Sequence, residues 1–233
     1  MSTSNIADHI KSINERIKKA ARTAGRSPSD ITLIAVSKTK PNSMIQEAIA
    51  AGQIHFGENK VQELQEKMPE FGDDIQWHMI GNLQTNKIKY LVERVNWIHS
   101  IPKIKALKEL EKRAGNIERV IDTLIQVNIS DEDQKSGCAP EDLPKLLEYA
   151  SELKWVRVRG LMGISTFADD PETVRPEFAS LREILEKNTT YNNDVIQLKE
   201  LSMGMTNDLE VAVEEGATMV RVGSAIFGER NYD

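Results

Sequence analysis

The chain has 233 residues, and 30 lysines and arginines against 36 aspartates and glutamates give it a formal net charge of −6. This length allows one large domain or two small ones, and 39% hydrophobic with 28% charged residues is typical of a soluble globular protein. An acidic balance and only 5% aromatic residues argue against a protein that binds nucleic acid.

Cysteine usage and hydropathy exclude further classes. The single cysteine, Cys138, can form neither an internal disulfide nor a thiolate metal site. The four histidines show no metal-ligand spacing, and the acidic run 131–133 is typical of a solvated loop. Asp8 and His9 interrupt the N-terminal region where a signal peptide would be apolar, and no apolar stretch approaches the ~20 residues that span a bilayer. We therefore predict a cytoplasmic protein without membrane contact.

Hydrophobic periodicity predicts one helix followed by alternating strands and helices. Apolar residues at steps of three and four run from Ile6 to Ala24, and Gly25 is expected to end this helix. Helical periodicity separates most of the later strand candidates, including a stretch through Ile88 and Leu91. Eight short apolar, β-branched runs begin at Ile31, Ile54, Ile75, Val95, Ile121, Val156, Ile196 and Thr218.

Strict alternation of strand and helix requires parallel pairing with right-handed crossovers. Eight such units close naturally into a (βα)8 TIM barrel, and an open doubly wound sheet is the alternative. We predict an α/β protein with a single barrel domain over residues 1–233 and an extra N-terminal helix.

In such a barrel the functional side chains follow the carboxyl ends of the strands. Lys38 follows the apolar run ITLIAV, so its amine is expected at the barrel mouth. Burial lowers the pKa of a lysine, and a neutral amine can attack an aldehyde. The alternative is a lysine that only reaches solvent or pairs with a carboxylate, which we expect for Lys40.

Small residues follow the last two strands. Gly204 lies between the hydroxyls of Ser202 and Thr206, and Gly223-Ser224 precedes a short helical turn. Backbone N–H groups at these two strand ends commonly bind phosphate in TIM barrels, although glycine also serves tight turns. Together with Lys38 they predict a ligand with an aldehyde at one end and a phosphate at the other. Pyridoxal 5′-phosphate and the sugar phosphate of a class I aldolase both have this form.

Arg221 discriminates between these ligands. An arginine that faces into a barrel stays protonated and donates hydrogen bonds. A pyridine nitrogen facing it would remain unprotonated, which weakens the ring as an electron sink. The alternative is a structural ion pair with a carboxylate at a strand end, such as Glu58.

Six segments resemble the pyridoxal phosphate homeostasis protein family (YggS/PROSC). The resemblance covers nearly the whole chain, with specific order and spacing. The segments are ITLIAVSKTKP (31–41), HFGENKVQE (55–63), WHMIGNLQTNK (77–87), VNISDEDQKSG (127–137), RGLMGI (159–164) and the run 201–228.

The resemblance implies a fold-type III barrel, similar to the barrel domain of bacterial alanine racemase, that binds pyridoxal 5′-phosphate. Lys38 would form the Schiff base, Arg221 would face the pyridine nitrogen, and Asn59 and Met162 would lie at the ring. Family motifs also contain Lys87 and Lys135, as solvated loop residues or with a secondary role in contacting or transferring the cofactor. The phosphate would be held by Ser202, Gly223 and Ser224, with Met203 and Thr206 nearby.

The implied function is cofactor buffering or delivery in vitamin B6 and amino-acid homeostasis, without established turnover and with apo-enzymes as transient acceptors. A racemase would need a second acid/base group opposite Lys38, which in the related racemases is a tyrosine from another domain. Tyr90, Tyr149 and Tyr191 are predicted away from the barrel mouth, and His78 is the conceivable substitute. An aldolase would carry its lysine on a later strand. We therefore expect a non-catalytic binding protein, and a monomer.

Overall fold

The computed structural model describes residues 5–130 and 136–229. Lys135, the acidic run 131–133 and Tyr232 lie outside the described residues. The eight predicted runs form a closed parallel barrel in chain order, so the predicted fold class is confirmed. The strands are β1 Thr32–Val36, β2 His55–Glu58, β3 Gln76–Met79, β4 Trp97–Ile101, β5 Ile121–Gln126, β6 Val156–Met162, β7 Ile196–Ser202 and β8 Met219–Val222.

Helices occupy the connections, as the periodicity predicts, with one difference. The stretch after β3 is not an α-helix but a 3₁₀ helix, Thr85–Tyr90. Two turns suffice to bury Ile88 and Leu91, and the amide of Leu91 bonds the carbonyl of Ile88 three residues back. The α-helices are α1 Ile6–Thr23, α2 Asn42–Ala50, α3 Val61–Lys67, α4 Ile104–Gly115, α5 Leu143–Ala150, α6 Arg175–Lys187, α7 Leu209–Glu214 and α8 Ser224–Phe227.

The N-terminal helix α1 covers the seam where the barrel closes. Its buried stripe packs against α2, α7 and α8, the helices that flank β1 and β8. Asn5 caps its first turn, and Gly25 follows its end with a φ of +66°, as expected for a glycine stop. Within the described ranges, no helix combines the length and the apolar character needed to cross a membrane.

Side chains alternate along the strands between two cores. Outward residues such as Phe56 and Leu161 pack against the helices in the larger core. A smaller apolar cluster inside the barrel contains Ile34, Leu124 and Met219. Above this cluster charged side chains, Lys38 and Arg221, join apolar ones such as Val36 in facing the barrel interior, and the candidate site begins there.

Candidate functional site

A cavity of about 440 Å³ opens at the carboxyl ends of the strands. Alternation explains how β1 reaches it: Val36 and Lys38 line the cavity, whereas the Ser37 hydroxyl between them bonds Glu58 on the helical side of the sheet. Seven of the nine residues predicted for the site line this one cavity: Lys38, Asn59, Met162, Thr206, Arg221, Gly223 and Ser224.

The turn that carries Lys38 is fixed on both sides by α3. Lys67 Nζ donates to the Ser37 carbonyl at 2.8 Å, and Glu63 Oε2 accepts from the Thr39 amide at 2.6 Å. Thr39 itself has a φ of +62°, a conformation that costs energy in a non-glycine residue and needs such support. The backbone flanking Lys38 is therefore held by the protein's own side chains.

Lys40 also lines the cavity, but its amine is engaged elsewhere. Its Nζ donates to the Glu229 carbonyl at 2.8 Å. The sequence predicts that Lys40 reaches solvent or pairs with a carboxylate; the partner that the structure gives its amine is a backbone oxygen.

Arg221 lies at the floor of the cavity and is only 4% exposed. Its Nη1 donates to Ser202 Oγ at 2.7 Å, and its Nη2 donates to the Gly163 carbonyl at 3.0 Å. Burial lowers the pKa of Arg221 to about 10, with the Asp208 charge acting in the opposite direction, so the guanidinium is still charged at neutral pH. A charged donor therefore faces the cavity from below.

The alternative for Arg221, an ion pair with a strand-end carboxylate such as Glu58, is not what the structure shows. Glu58 points to the helical side of the sheet, where it accepts hydrogen bonds from Lys67 and Ser37. Adjacent residues on a strand face opposite sides, and Gly57 takes the inward position of β2 near its end.

Two hydroxyls form one wall of the cavity. Thr206 Oγ1 and Ser224 Oγ lie 3.3 Å apart and line the cavity together with Gly223. A Cβ on Gly223 would lie 3.2 Å from the Val36 carbonyl oxygen, so the glycine lets the end of β8 pack closely against β1. A close pair of hydroxyl groups beside a small residue can bind an anion such as phosphate.

The placement of two predicted residues is corrected. Met203 is fully buried in the core between sheet and helices and does not line the cavity, because it follows inward-facing Ser202 and takes the opposite face. Ser202 is also fully buried, and its hydroxyl bonds Arg221 and His99 beneath the cavity floor. Its contact with the floor is through Arg221.

Sequence reasoning missed the loop that follows β6. Phe167 in this loop lines the cavity although it is 79% exposed, and Ile164 and Val174 add apolar surface.

Asp208, in the loop after β7, was missed as well and also lines the cavity. It accepts from the Met205 amide at 2.6 Å and from Ser165 Oγ at 2.8 Å. No periodic pattern marks these loop residues.

Other predicted candidates lie away from the cavity. Lys87 is in the 3₁₀ helix after β3, 5.9 Å from the ring of Tyr90, and neither residue lines the cavity. Tyr149 on α5 and Tyr191 after α6 are likewise outside it, as predicted. In residues 5–130 and 136–229, no group of three or more histidines, cysteines or acidic residues is placed to hold a metal ion.

Fold and sequence comparisons define the class of this protein. The alanine racemase N-terminal domain family matches residues 9–231. Alanine racemase from Corynebacterium glutamicum superposes with a TM-score of 0.66 over 94% of this chain and 61% of its own, at 14% identity, and so shares the fold alone. The chain is thus a barrel of the alanine racemase N-terminal type.

Closer relatives identify the family within this class. Pyridoxal phosphate homeostasis protein from Aquifex aeolicus is 45% identical over 98% of this chain and 100% of its own length. The Pseudomonas aeruginosa protein of the same name is 43% identical, covering 98% and 97%. PipY of Synechococcus elongatus, solved with PLP bound, superposes with a TM-score of 0.79 at 38% identity, covering 91% of this chain and 100% of its own. The chain belongs to the pyridoxal phosphate homeostasis protein family.

Proposed function

We propose that this chain binds pyridoxal 5′-phosphate as a Schiff base on Lys38 and buffers or delivers the cofactor. The observation that carries the proposal is that Lys38, Arg221 and the Thr206–Ser224 hydroxyl pair line one cavity. When bound, the cofactor supplies an aldehyde that condenses with an amine. The family to which the chain belongs and PLP-bound PipY support the same ligand.

Each lining residue has a distinct role in this proposal. Arg221, charged and buried, donates toward the ring nitrogen and keeps that nitrogen unprotonated. Met162, on β6, is 1% exposed and provides apolar surface for the ring, and Asn59 lies beside it in the lining. Thr206 and Ser224 bind the phosphate through their hydroxyls.

The site favours binding over racemisation. In the part of the chain that the structure describes, no tyrosine lines the cavity to serve as a second acid/base group opposite Lys38. His78, the conceivable substitute, is fully buried and bonds His55 and His99. An unprotonated ring nitrogen would also stabilise an α-carbanion poorly. We therefore propose a non-catalytic carrier, a monomer acting in the cytoplasm with apo-enzymes as its acceptors.

Reductive trapping tests the cofactor proposal. The protein is incubated with pyridoxal 5′-phosphate, reduced with borohydride and digested, and the modified peptide is mapped by mass spectrometry. The label is expected on Lys38 and should disappear in Lys38→Ala. Lys40→Ala is the matched control, because Lys40 lines the same cavity, and it should retain the label. Label on Lys40 instead, or no label on the wild type, contradicts the proposal.

Two assays on the loaded protein test the carrier role. In the first assay, an apo-enzyme recovers activity as it receives cofactor from the loaded protein. Its recovery after direct mixing is compared with its recovery when a membrane that only free cofactor can cross separates the two proteins. Racemisation of amino acids is followed in parallel. Amino-acid turnover well above that of free cofactor would favour the racemase alternative.

A further inference from the structure

Three histidine rings form a continuous hydrogen-bonded chain inside the barrel. His55 Nδ1 lies 3.0 Å from His78 Nε2, and His78 Nδ1 lies 2.9 Å from His99 Nε2. His99 Nδ1 lies 2.9 Å from Ser202 Oγ, and Arg221 Nη1 donates to the same Ser202 Oγ at 2.7 Å. These residues belong to β2, β3, β4, β7 and β8, and β4 and β7 are not neighbours, so the His99–Ser202 bond crosses the barrel interior.

Proton counting selects one direction for this chain. Arg221 can only donate, so Ser202 Oγ accepts from it and needs an acceptor for its own hydrogen. Among the described residues, the only other partner of Ser202 Oγ is His99 Nδ1, which must therefore be unprotonated. His99 then carries its hydrogen on Nε2 and donates to His78 Nδ1.

His78 and His55 follow the same hydrogen-bond direction as His99. His78 Nδ1 accepts, so His78 is protonated on Nε2 and donates to His55 Nδ1. The opposite direction would leave the Ser202 hydrogen without an acceptor in a fully buried site, which is costly. His55 begins β2, at the end of the barrel opposite the cavity, and is only partly buried.

The imidazoles are also kept neutral. Burial is the main cause that lowers the pKa of His78 and His99 well below the ordinary value, and the Arg221 charge adds to the effect on His99. Burial lowers the pKa of His55 as well. A cationic imidazole would have to donate from both nitrogens, which the chain does not allow.

We propose that His99, oriented by His78 and His55, is a positioning residue that fixes the Ser202 hydroxyl and, through it, the Arg221 guanidinium at the floor of the cavity, where it would donate to the cofactor ring. The effect on the ring depends on the proposed function. The hydrogen-bonded chain does not, because it consists of the protein's own residues.

Nitrogen NMR of the cofactor-free, ¹⁵N-histidine-labelled protein tests the chain directly. At pH 8, His55, His78 and His99 are all expected as the Nε2–H tautomer. His9 is an internal control of opposite sign, because its Nδ1 lies 2.8 Å from the Ile226 carbonyl oxygen and must donate. An Nδ1–H tautomer or a cationic ring at His99 would overturn the proposal, whatever the outcome of the cofactor experiments.

Paired variants test the positioning effect on bound cofactor. His99→Asn can keep an oxygen acceptor for Ser202, whereas His99→Leu cannot. With both variants shown to be folded, we expect His99→Leu to weaken pyridoxal 5′-phosphate binding about fivefold and to shift the absorbance maximum of the bound cofactor, as loss of one buried hydrogen bond would do. His99→Asn should stay close to the wild type in both. An unchanged spectrum and affinity in His99→Leu, or equal changes in both variants, would reject the positioning role. If His99→Leu does not fold, the NMR measurement on the wild type is the deciding test.

Discussion

Lys67 Nζ lies 2.6 Å from Glu58 Oε1 in a pair whose side chains are 9% and 0% exposed. Ser37 Oγ donates to the same carboxylate oxygen at 2.7 Å, and Lys67 also donates to the Ser37 carbonyl. The pair therefore joins the ends of β1 and β2 to α3, one residue away from Lys38. Glu58 Oε2 has no hydrogen-bond partner among the described residues, and burial raises the pKa of Glu58 although Lys67 acts to lower it.

Replacing Lys67 should both destabilise the protein and weaken cofactor binding. Lys67→Met leaves a buried carboxylate without its cation, which costs about 3 kcal/mol of unfolding free energy. It also releases the Ser37 carbonyl, so Lys38 should trap less cofactor under borohydride at limiting concentration. Urea denaturation and the trapping yield measure the two effects.

Two further variants serve as controls for Lys67→Met. Lys60→Met removes an exposed lysine one position before α3 and should change neither quantity. Glu58→Gln should cost less than Lys67→Met, because burial already disfavours the charge on Glu58. A loss below about 1 kcal/mol in Lys67→Met would mean that the pair contributes little to stability.

Gly81 allows two backbone segments to meet beside the cavity. A Cβ at this position would lie 2.2 Å from the carbonyl oxygen of Asn59, which lines the cavity. Because this neighbour is backbone, Gly81→Ala should displace Asn59, cost about 2 kcal/mol in stability and weaken cofactor binding. Fluorescence titration with pyridoxal 5′-phosphate and urea denaturation measure both.

Gly25→Ala serves as the control for Gly81→Ala. Its φ is +66° but nothing lies within 4 Å of a Cβ there, so the change should cost about 1 kcal/mol and leave binding unchanged. Equal affinity losses in the two variants would show that global destabilisation, and not the position of Asn59, weakens binding.

Stability should fall with acidification below neutral pH because of the buried histidines. Burial keeps His78 and His99 neutral in the folded chain, whereas in the unfolded chain they take up protons below a pKa of about 6.5. The unfolded state binds more protons there, so each ring should remove about 1.4 kcal/mol between pH 7.5 and 5.5. Urea denaturation at pH 7.5 and at pH 5.5 measures this loss of stability. The loss in His99→Asn should be smaller than in the wild type by about 1.4 kcal/mol, the contribution of one ring. If the stability of the wild type did not change with pH, the lowered pKa of His78 and His99 would be contradicted.

Cys138 should be almost inert in the folded protein. Burial, reinforced by the charges of Asp142 and Glu141, raises the pKa of Cys138 to about 11, and the residue is 6% exposed. At pH 8 the thiolate fraction is then of order 0.1%, against roughly a quarter for a free thiol. The reaction with a disulfide reagent should be at least about 100-fold slower than in urea. A comparable rate in the folded state would mean that the region around Cys138 opens readily.

Strand alternation explains why much of the barrel and cavity could be predicted. Each strand lies within a short apolar run, and a period of two carries Lys38 and Arg221 inward from runs that end nearby. The same period applied to Met203 would have placed it outside the cavity, opposite Ser202. The prediction for Met203 failed because one role was given to all residues of the motif around Ser202, although neighbouring residues face opposite sides of the sheet.

The histidine chain could not be predicted in the same way. His78 and His99 are separated by 21 residues, and His99 and Ser202 by 103, so no local pattern relates them. Only closure of the barrel brings one inward position from each strand to the same depth. The loop residues Phe167 and Asp208 escaped prediction for another reason, because loops lack a period that assigns a side chain to a face.

The parallel pairing of β1 with β8, in which Ile34 lies opposite Arg221, has a consequence for biosynthesis. Lys38 is translated well before Arg221, Gly223 and Ser224. A nascent chain that lacks β8 carries the Lys38 amine without the Arg221 guanidinium and without Gly223 and Ser224, which line the same cavity. If Lys38 holds the vitamin as proposed, its capture would be postponed until the polypeptide has joined the first strand of the barrel to the last.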